Sequence, residues 1–196
     1  EIQVTINPAG DPVLDADFGY DWIGSIGDFA WYDKDGDTVQ DGPTDPLLCD
    51  NSNPTHECGA PLATVVLYGD TNGDGVYQSG EPILAVQETS DGNTDVDGDG
   101  TIDPIGYYRF TDLPPGAYVV EVSEQEVAAP DSSPNAGQNG TMIATTGTQV
   151  GVVLESTGDP ADMQRTDIDW GFKEAAYLAG NLFHDVNANG ILDTSE

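Results

Sequence analysis

The apolar residues of this chain recur in short bursts, some at alternate positions and some in continuous runs, and clusters of turn-forming residues separate them. Alternation with a period of two is typical of a strand with one buried face, whereas an amphipathic helix needs a period near 3.6. No segment combines the helical period with capping residues, so we expect little helix. The bursts predict seven strands, over residues 26–33, 63–70, 82–89, 106–113, 117–124, 148–155 and 166–172.

Seven short strands joined by turns rich in glycine and proline are typical of a β-sandwich. We therefore predict an all-β fold, a seven-stranded antiparallel β-sandwich. Large aromatic residues lie within the predicted strands, and we expect them to pack in the core or on the sheet faces instead of forming a ligand platform. They are Trp31, Tyr68, Tyr108, Phe110, Tyr118 and Trp170.

Between two of these strands, residues 70–81 (DTNGDGVYQSGE) place an acid or amide at every second position. In a 12-residue calcium loop, oxygen ligands stand at positions 1, 3 and 5, a backbone carbonyl at 7, a ligand often acting through water at 9, and a bidentate carboxylate at 12. Gly75 at position 6 permits the sharp turn. An acidic turn is the alternative reading. The predicted calcium ligands are Asp70, Asn72, Asp74, the Val76 carbonyl, Gln78 and Glu81.

The same pattern recurs elsewhere, which favours calcium sites over simple turns. Residues 185–196 match the template in full. The ligands predicted there are Asp185, Asn187, Asn189, the Ile191 carbonyl, Asp193 and Glu196.

Two further loops match the template in part. Residues 33–45 supply Asp33, Asp35, Asp37, the Val39 carbonyl and Asp41. Thr44 stands at position 12, so Asp45 is the expected closing ligand. Residues 91–103 supply Asp95, Asp97, Asp99, the Thr101 carbonyl and Asp103. Gly106 stands at position 12 there, so Asp91 or an acid from elsewhere must complete the shell. We expect about four calcium sites in all.

The net charge is −32, and the positive side chains are Lys34, Arg109, Arg165 and Lys173. This balance excludes nucleic acid as a partner, because binding needs clustered lysine and arginine. It also argues against an anionic membrane surface, and no stretch approaches the ~20 apolar residues of a membrane span. The acids can serve metal sites, a salt-adapted surface, or both. In either case self-repulsion destabilises the metal-free fold.

Cys49 and Cys58 lie in a polar loop that contains proline. A zinc site needs four ligands, and the nearby candidate is His56 alone. We therefore predict a Cys49–Cys58 disulfide. Disulfides persist in oxidising compartments, so the expected location is extracellular, either on a cell surface or secreted.

An internal repeat organises the chain. Residues 15–22 (DADFGYDW) match 167–174 (DIDWGFKE), and at the same offset residues 31–41 match 183–193. We expect one complete sandwich over 23–174, with the end of a preceding repeat in 1–22 and the start of a following repeat in 175–196.

Four stretches in order carry a family resemblance: IGDFAWYDKDGD (26–37), ATVVLYGDTNGDG (63–75), GYYRFTDLPPGAYVVEV (106–122) and DIDWGF (167–172). They resemble the B-repeat domain of serine–aspartate-repeat surface adhesins, within the collagen-adhesin B-type, transthyretin-like superfamily. The resemblance implies an immunoglobulin-like or transthyretin-like sandwich in a bacterial-type surface protein whose tandem repeats form a calcium-rigidified stalk. Some relatives carry a Lys–Asn cross-link, but neither Lys34 nor Lys173 lies in a predicted core strand, so we expect none here.

The function we predict is a non-enzymatic extracellular structural repeat, a calcium-rigidified stalk or fibre module of a surface adhesin. Its partners are neighbouring repeats or copies of itself. Two alternatives stay open: a self-assembling filament subunit joined by strand exchange, and a glycan- or protein-binding module that uses loop 125–147. An enzyme is not expected, because His56 and His184 belong to no catalytic motif and the acids stand at ligand spacing in turns.

Overall fold

The computed structural model describes residues 23–42, 49–50, 52–130, 137–138, 140–157 and 159–175. Within these ranges the chain forms nine strands. They are β1 (Gly24–Tyr32), β2 (Thr64–Gly69), β3 (Ile83–Glu88), β4 (Tyr107–Leu113), β5 (Gly116–Val122), β6 (Met142–Ala144), β7 (Gln149–Leu154), β8 (Gln164–Arg165) and β9 (Trp170–Glu174). Two short 3₁₀ turns, Glu124–Glu126 and Pro160–Met163, complete the regular structure of the described residues. None of their helical turns is long and apolar enough to cross a membrane.

The strands form two sheets, which confirms the all-β sandwich. One sheet has the order β4-β1-β9-β6 with β8 also paired to β1, and the other has the order β3-β2-β5-β7. Two details differ from the prediction. Each of the seven predicted strands is present, but β6 and β8 are additional. The first sheet is also mixed, because β1 pairs parallel with β8 and β9. An apolar pattern along one strand carries no information about the direction of its neighbour.

The core lies between the sheets and is built from inward-facing residues, which alternate with outward-facing ones along each strand. Val65 and Leu67 of β2 are fully buried, as are Tyr108 of β4 and Phe172 of β9. The six aromatic residues predicted to pack are all buried. Buried Trp170 donates its indole N–H to the Tyr108 hydroxyl at 3.0 Å. The Tyr108 hydroxyl in turn donates to the Ile168 carbonyl at 2.6 Å, so the buried polar atoms of this pair are satisfied.

The strand register places the loops at two opposite poles of the sandwich. Gly24 at the start of β1 pairs with Leu113 at the end of β4, and Phe29 pairs with Tyr107 at the start of β4. The segments after β1 and before β4 therefore meet at one end, where the parallel strand β9 also finishes. We call this end the C-terminal pole. The β2–β3 connection lies at the other end, the N-terminal pole, because Gly69 pairs near the start of β5.

Candidate metal-binding loops

The loop over residues 70–81, here the second loop, is wound around its own acidic side chains. The Asp70 carboxylate accepts the backbone N–H groups of Gly73 at 2.6 Å and Gly75 at 2.8 Å. Asn72 accepts from the N–H of Asp74 at 2.9 Å, and Asp74 accepts from that of Val76 at 3.0 Å. Desolvation raises the pKa of the Asp70 carboxyl, but its backbone donors outweigh this effect, so the pKa lies below its ordinary value.

Glu81 closes the second loop with both carboxylate oxygens. Oε1 accepts the N–H of Thr71 at 3.0 Å, and Oε2 accepts that of Gln78 at 2.9 Å. These donors are loop positions 2 and 9, so one buried carboxylate joins the two ends of the loop. Glu81 is 8% exposed. A carboxylate held by two backbone donors is fixed in direction before any ligand arrives.

The first loop, residues 33–41, repeats the same bonding. Asp33 is fully buried and accepts the N–H of Gly36 at 2.6 Å and that of Thr38 at 3.1 Å. Asp35 accepts from Asp37 at 3.1 Å, and Asp37 accepts from Val39 at 2.8 Å. The loop conformation is therefore shared, although its sequence departs from the template at position 6.

That departure leaves a local strain in the first loop. Thr38 has φ 70°, where Gly75 of the second loop has φ 77°. A β-branched residue rarely adopts this left-handed conformation, which costs about 1–3 kcal/mol outside glycine. The first loop therefore holds Thr38 in a backbone conformation that this residue type disfavours.

Glu57 occupies the closing position of the first loop. Its Oε1 accepts the N–H of Lys34 at 2.7 Å and its Oε2 accepts that of Asp41 at 2.9 Å. These are again loop positions 2 and 9, as for Glu81. Glu57 is 4% exposed. Glu57 was not predicted as a ligand, because it follows Asp41 by 16 residues, across the cysteine loop. Asp45, predicted for this role, lies outside the described residues.

The third loop, residues 95–103, has the same core of hydrogen bonds. Asp95 accepts the N–H groups of Gly98 and Gly100, both at 2.8 Å, and Asp99 accepts that of Thr101 at 2.7 Å. The closing carboxylate belongs to Asp103, which is 8% exposed and accepts the N–H of Val96 at 2.7 Å.

Asp103, predicted as the ligand at position 9, therefore also binds the amide at position 2, as Glu81 and Glu57 do in their loops, while position 12 is Gly106. Burial raises the pKa of Asp103; the Val96 N–H works against this, and nearby Asp97 adds to the rise. Asp91, the other candidate, instead accepts from Asn93 N–H at 2.9 Å and from the Thr94 hydroxyl at 3.0 Å within its own turn. Its role as a ligand stays a prediction.

Carboxylates converge closely in the first and third loops. Oxygen atoms from three side chains lie within 4.8 Å of one another in each of three groups. The groups are Asp33, Asp35 and Glu57; Asp35, Asp37 and Asp41; and Asp95, Asp97 and Asp99. Like charges at this separation repel unless a cation lies among them. The donor set consists of oxygen atoms, which suits a hard divalent cation such as Ca²⁺.

In the second loop amide side chains take part as well. Asn72 donates from Nδ2 to Asp74 at 3.1 Å and to Oε1 of Gln78 at 3.1 Å. Gln78 also donates to Asp74. The structure therefore brings together the side chains at positions 3, 5 and 9 of this loop, Asn72, Asp74 and Gln78. The fourth predicted loop, 185–196, lies outside the described residues.

The second and first loops each contact strands of the sandwich directly. Gly75 of the second loop lies directly on Gly151 of β7, since a Cβ on Gly151 would stand 2.5 Å from the Gly75 Cα. Tyr77 stacks on Tyr68 with ring centroids 4.1 Å apart. At the other pole, Lys173 of β9 donates to the Asp35 carbonyl at 2.9 Å. Both loops therefore lie in direct contact with strands of the sandwich.

The Cys49–Cys58 disulfide is present, as predicted, with Cα atoms 5.6 Å apart.

A feature the sequence did not indicate is a half-buried pair of carboxyls, Asp28 on β1 and Asp169 before β9. Asp169 accepts the N–H of Phe29 at 3.2 Å. Burial raises the pKa of Asp28 to about 6, with further rises from Asp169 and Asp167, while Arg109 opposes them.

The protein is a two-sheet β-sandwich module with three acidic loops that share one hydrogen-bond pattern. Comparison with known proteins identifies its relatives. No protein-family model matches the chain. The chain is 32% identical over 133 residues to serine-aspartate repeat-containing protein F of Staphylococcus epidermidis, covering 66% of this chain and 7% of that protein. It is 33% identical over 135 residues to serine-aspartate repeat-containing protein E of Staphylococcus aureus strain MSSA476, covering 66% and 11%.

The chain is thus a homologue of the serine–aspartate repeat-containing proteins, which confirms the predicted resemblance. It spans only about a tenth of the length of these relatives. A solved structure, the full-length major pilin SpaD from Corynebacterium diphtheriae, aligns with a TM-score of 0.35 and 14% identity over 81% of this chain and 34% of that one. The fold assignment rests on the sheets described above and not on that alignment.

Proposed function

We propose that this chain is a non-enzymatic structural module of an extracellular surface protein, stiffened by calcium ions bound in its acidic loops. The observation that carries the proposal is the repetition of one hydrogen-bond pattern in three loops, each closed by a buried carboxylate: Glu57, Glu81 or Asp103. Each of these buried carboxylates adds a negative charge beside the other acids of its loop, which favours a bound cation. Homology to the serine–aspartate repeat-containing proteins and the disulfide both support a surface or secreted location.

Calcium is the cation that this donor set suits best. Ca²⁺ accepts six to eight oxygen ligands in flexible arrangements, whereas Mg²⁺ requires octahedral geometry and retains several waters. The first ion would be held by Asp33, Asp35, Asp37, Glu57 and the Val39 carbonyl. The second would use the ligands predicted from the template, and the third Asp95, Asp97, Asp99, Asp103 and the Thr101 carbonyl. Asp41 and Asp45 are further ligands predicted for the first site, and Asp91 is one predicted for the third. The loop at 185–196 would supply a fourth site, so that about four are expected in all.

The placement of the loops suits a stalk. The first and third loops lie at the C-terminal pole, beside the end of β9, and the second lies at the N-terminal pole. Ions at both poles would brace the ends at which neighbouring repeats or copies attach. Lys173, near the last described residue, already contacts the first loop. Calcium there would fix the direction in which the chain leaves the sandwich.

A calcium titration of the 196-residue chain, followed by calorimetry and thermal melting, tests the proposal. Extracellular calcium modules bind with Kd of about 10⁻⁴–10⁻³ M. We expect calcium, but not magnesium at equal ionic strength, to raise Tm and to protect the loops from proteases. Glu88→Gln, on exposed β3, is the control for loop variants such as Glu81→Gln, because this substitution also removes one negative charge but lies outside every loop. An identical melt in calcium and in excess chelator would refute calcium stiffening.

A filament joined by strand exchange is a second candidate, favoured by one observation. In the described structure β3 lies at a sheet edge, and Ile83 and Val86 on it are 61% and 60% exposed. An exposed apolar edge strand is a template for pairing with another chain. Sedimentation at increasing concentration in calcium tests this candidate, and a strict monomer rejects it. Binding through loop 125–147 stays a prediction, because residues 131–136 and 139 lie outside the described ones.

A further inference from the structure

The first and second loops share one bonding pattern but obtain their closing carboxylates in different ways. Glu81 belongs to its own loop, ten residues after the Thr71 N–H that it binds. Glu57 follows its corresponding donor, Lys34, by 23 residues and comes from a separate part of the chain. The residue next to Glu57 is Cys58, one half of the disulfide. The first loop is therefore completed by a side chain that the disulfide restrains.

Several contacts join the disulfide-closed loop to the first loop. The Glu57 backbone N–H donates to the Asp41 carbonyl at 2.9 Å, and Gln40 donates to the Glu57 carbonyl at 3.2 Å. Lys34 donates from Nζ to the Asn53 carbonyl at 2.9 Å. On the other side, Tyr32 N–H donates to the Cys58 carbonyl at 2.9 Å. Breaking the disulfide removes none of these hydrogen bonds, but it leaves them alone to hold Glu57 without the covalent restraint on its neighbour Cys58.

We propose that the Cys49–Cys58 disulfide is a redox-sensitive latch that holds the Glu57 carboxylate in the first loop. When the latch opens, the first loop loses calcium affinity while the second and third loops, closed by Glu81 and Asp103, keep theirs. The calcium part of this inference rests on the proposed function. The latch itself rests on the position of Glu57 beside Cys58 and on the bonds that Glu57 accepts from Lys34 and Asp41.

The opening reaction needs an external dithiol as reductant. One dithiol sulfur attacks a protein sulfur and forms a mixed disulfide; the second dithiol sulfur then displaces the protein thiol. The protein S–S bond is broken, two electrons and two protons pass to the protein sulfurs, and the dithiol is oxidised to a cyclic disulfide. Binding linkage is reciprocal: if reduction weakens calcium binding, calcium must disfavour reduction by the same factor.

The test follows the backbone amide signals of the whole chain by NMR during a calcium titration, before and after reduction with excess dithiothreitol. Lys34 and Asp41 report on Glu57, and the matched reporters Thr71 and Gln78 report on Glu81. Loss of an outer positioning group weakens metal binding by roughly 10–100-fold. We expect that loss at the first loop and an unchanged response at the second.

Glu57→Gln with the disulfide intact provides the second arm. This variant should lower the calcium affinity of the first loop in the oxidised protein. Calcium should also no longer shift the thiol–disulfide equilibrium of Cys49 and Cys58 with dithiothreitol. Glu88→Gln should leave both quantities unchanged. The latch is overturned if the first loop keeps its calcium affinity after reduction, since pairing of Cys58 with Tyr32 then suffices. It is also overturned if both loops weaken equally, because the effect is then global.

A calcium-independent measurement separates this inference from the proposed function. If no loop responds to calcium even in the oxidised protein, the proposed function fails. The latch is then judged by hydrogen exchange of the Lys34 and Asp41 amides without metal. Exchange at least tenfold faster after reduction, with the Thr71 and Gln78 amides unchanged, supports the latch. Equal exchange in both redox states overturns it.

Discussion

Replacing Glu81 by glutamine tests whether the closing carboxylate acts as a metal ligand or only as a structural acceptor. The side chain is buried and binds the amides of Thr71 and Gln78, one with each oxygen. Glutamine is nearly isosteric but has one acceptor oxygen and no charge. One amide therefore loses its partner, which costs about 1–3 kcal/mol with or without calcium. The ligand role adds a loss that is seen only with calcium.

The calcium-dependent part can be worked out from binding linkage. A site saturated at 100 times its Kd contributes ~2.7 kcal/mol of stability, and a site bound tenfold more weakly contributes ~1.4 kcal/mol at the same calcium concentration. The loss is about 1.3 kcal/mol, or roughly 3–5 °C in Tm for a domain of 150–250 residues. The quantity to compare is the rise in Tm on going from chelator to calcium.

Gln78→Ala is the matched comparison, because position 9 usually contributes through a water. Melts and titration calorimetry should show a larger loss of calcium affinity for Glu81→Gln than for Gln78→Ala, and no loss for Glu88→Gln. If Glu81→Gln lowers Tm equally in calcium and in chelator, Glu81 is only a structural acceptor. The reverse order of the two affinities would mean that the loop does not follow the calcium template.

Three further predictions concern the sandwich and the first loop. The raised pKa of Asp28 means that the folded state favours its protonated form, so this group contributes stability at low pH that is lost as the pH rises through about 6. Asp28→Asn should therefore raise Tm relative to the wild type at pH 8 but not at pH 4 in chelator, and a gain equal at both pH values would contradict this. Gly151→Ala forces the second loop off β7 and should destabilise the fold by about 1–3 kcal/mol in urea titrations, whereas Gly116→Ala, with its nearest contact at 3.6 Å, should not. Thr38→Gly removes the strain at φ 70° and should strengthen calcium binding in the first loop, as calorimetry would show; weaker binding would contradict the assignment of strain.

Local pattern was sufficient for seven of the nine described strands and for the course of the acidic loops. The continuous apolar run of β2 predicts a strand, and side chains in a strand alternate between faces, so that Val65 and Leu67 point to the same side. The turns at Asp33, Asp70 and Asp95 likewise depend on donors only three to five residues away. Interactions of such short range are visible in the order of residues alone.

Contacts between distant segments were decided by the tertiary structure. Glu57 reaches the first loop because the backbone of residues 57–60 runs beside β1, and loop spacing does not show this approach. The parallel pairing of β1 with β9 joins residues 140 positions apart, such as Phe29 and Asp169, and it brings Asp169 close to Asp28. The residue pattern alone identifies the seven longer strands and the acids that wind into loops, because both depend on neighbours along the chain. Pairing of distant segments with β1 decided which carboxylate closes the first loop and which acids share a half-buried site, because burial and charge depend on neighbours in space.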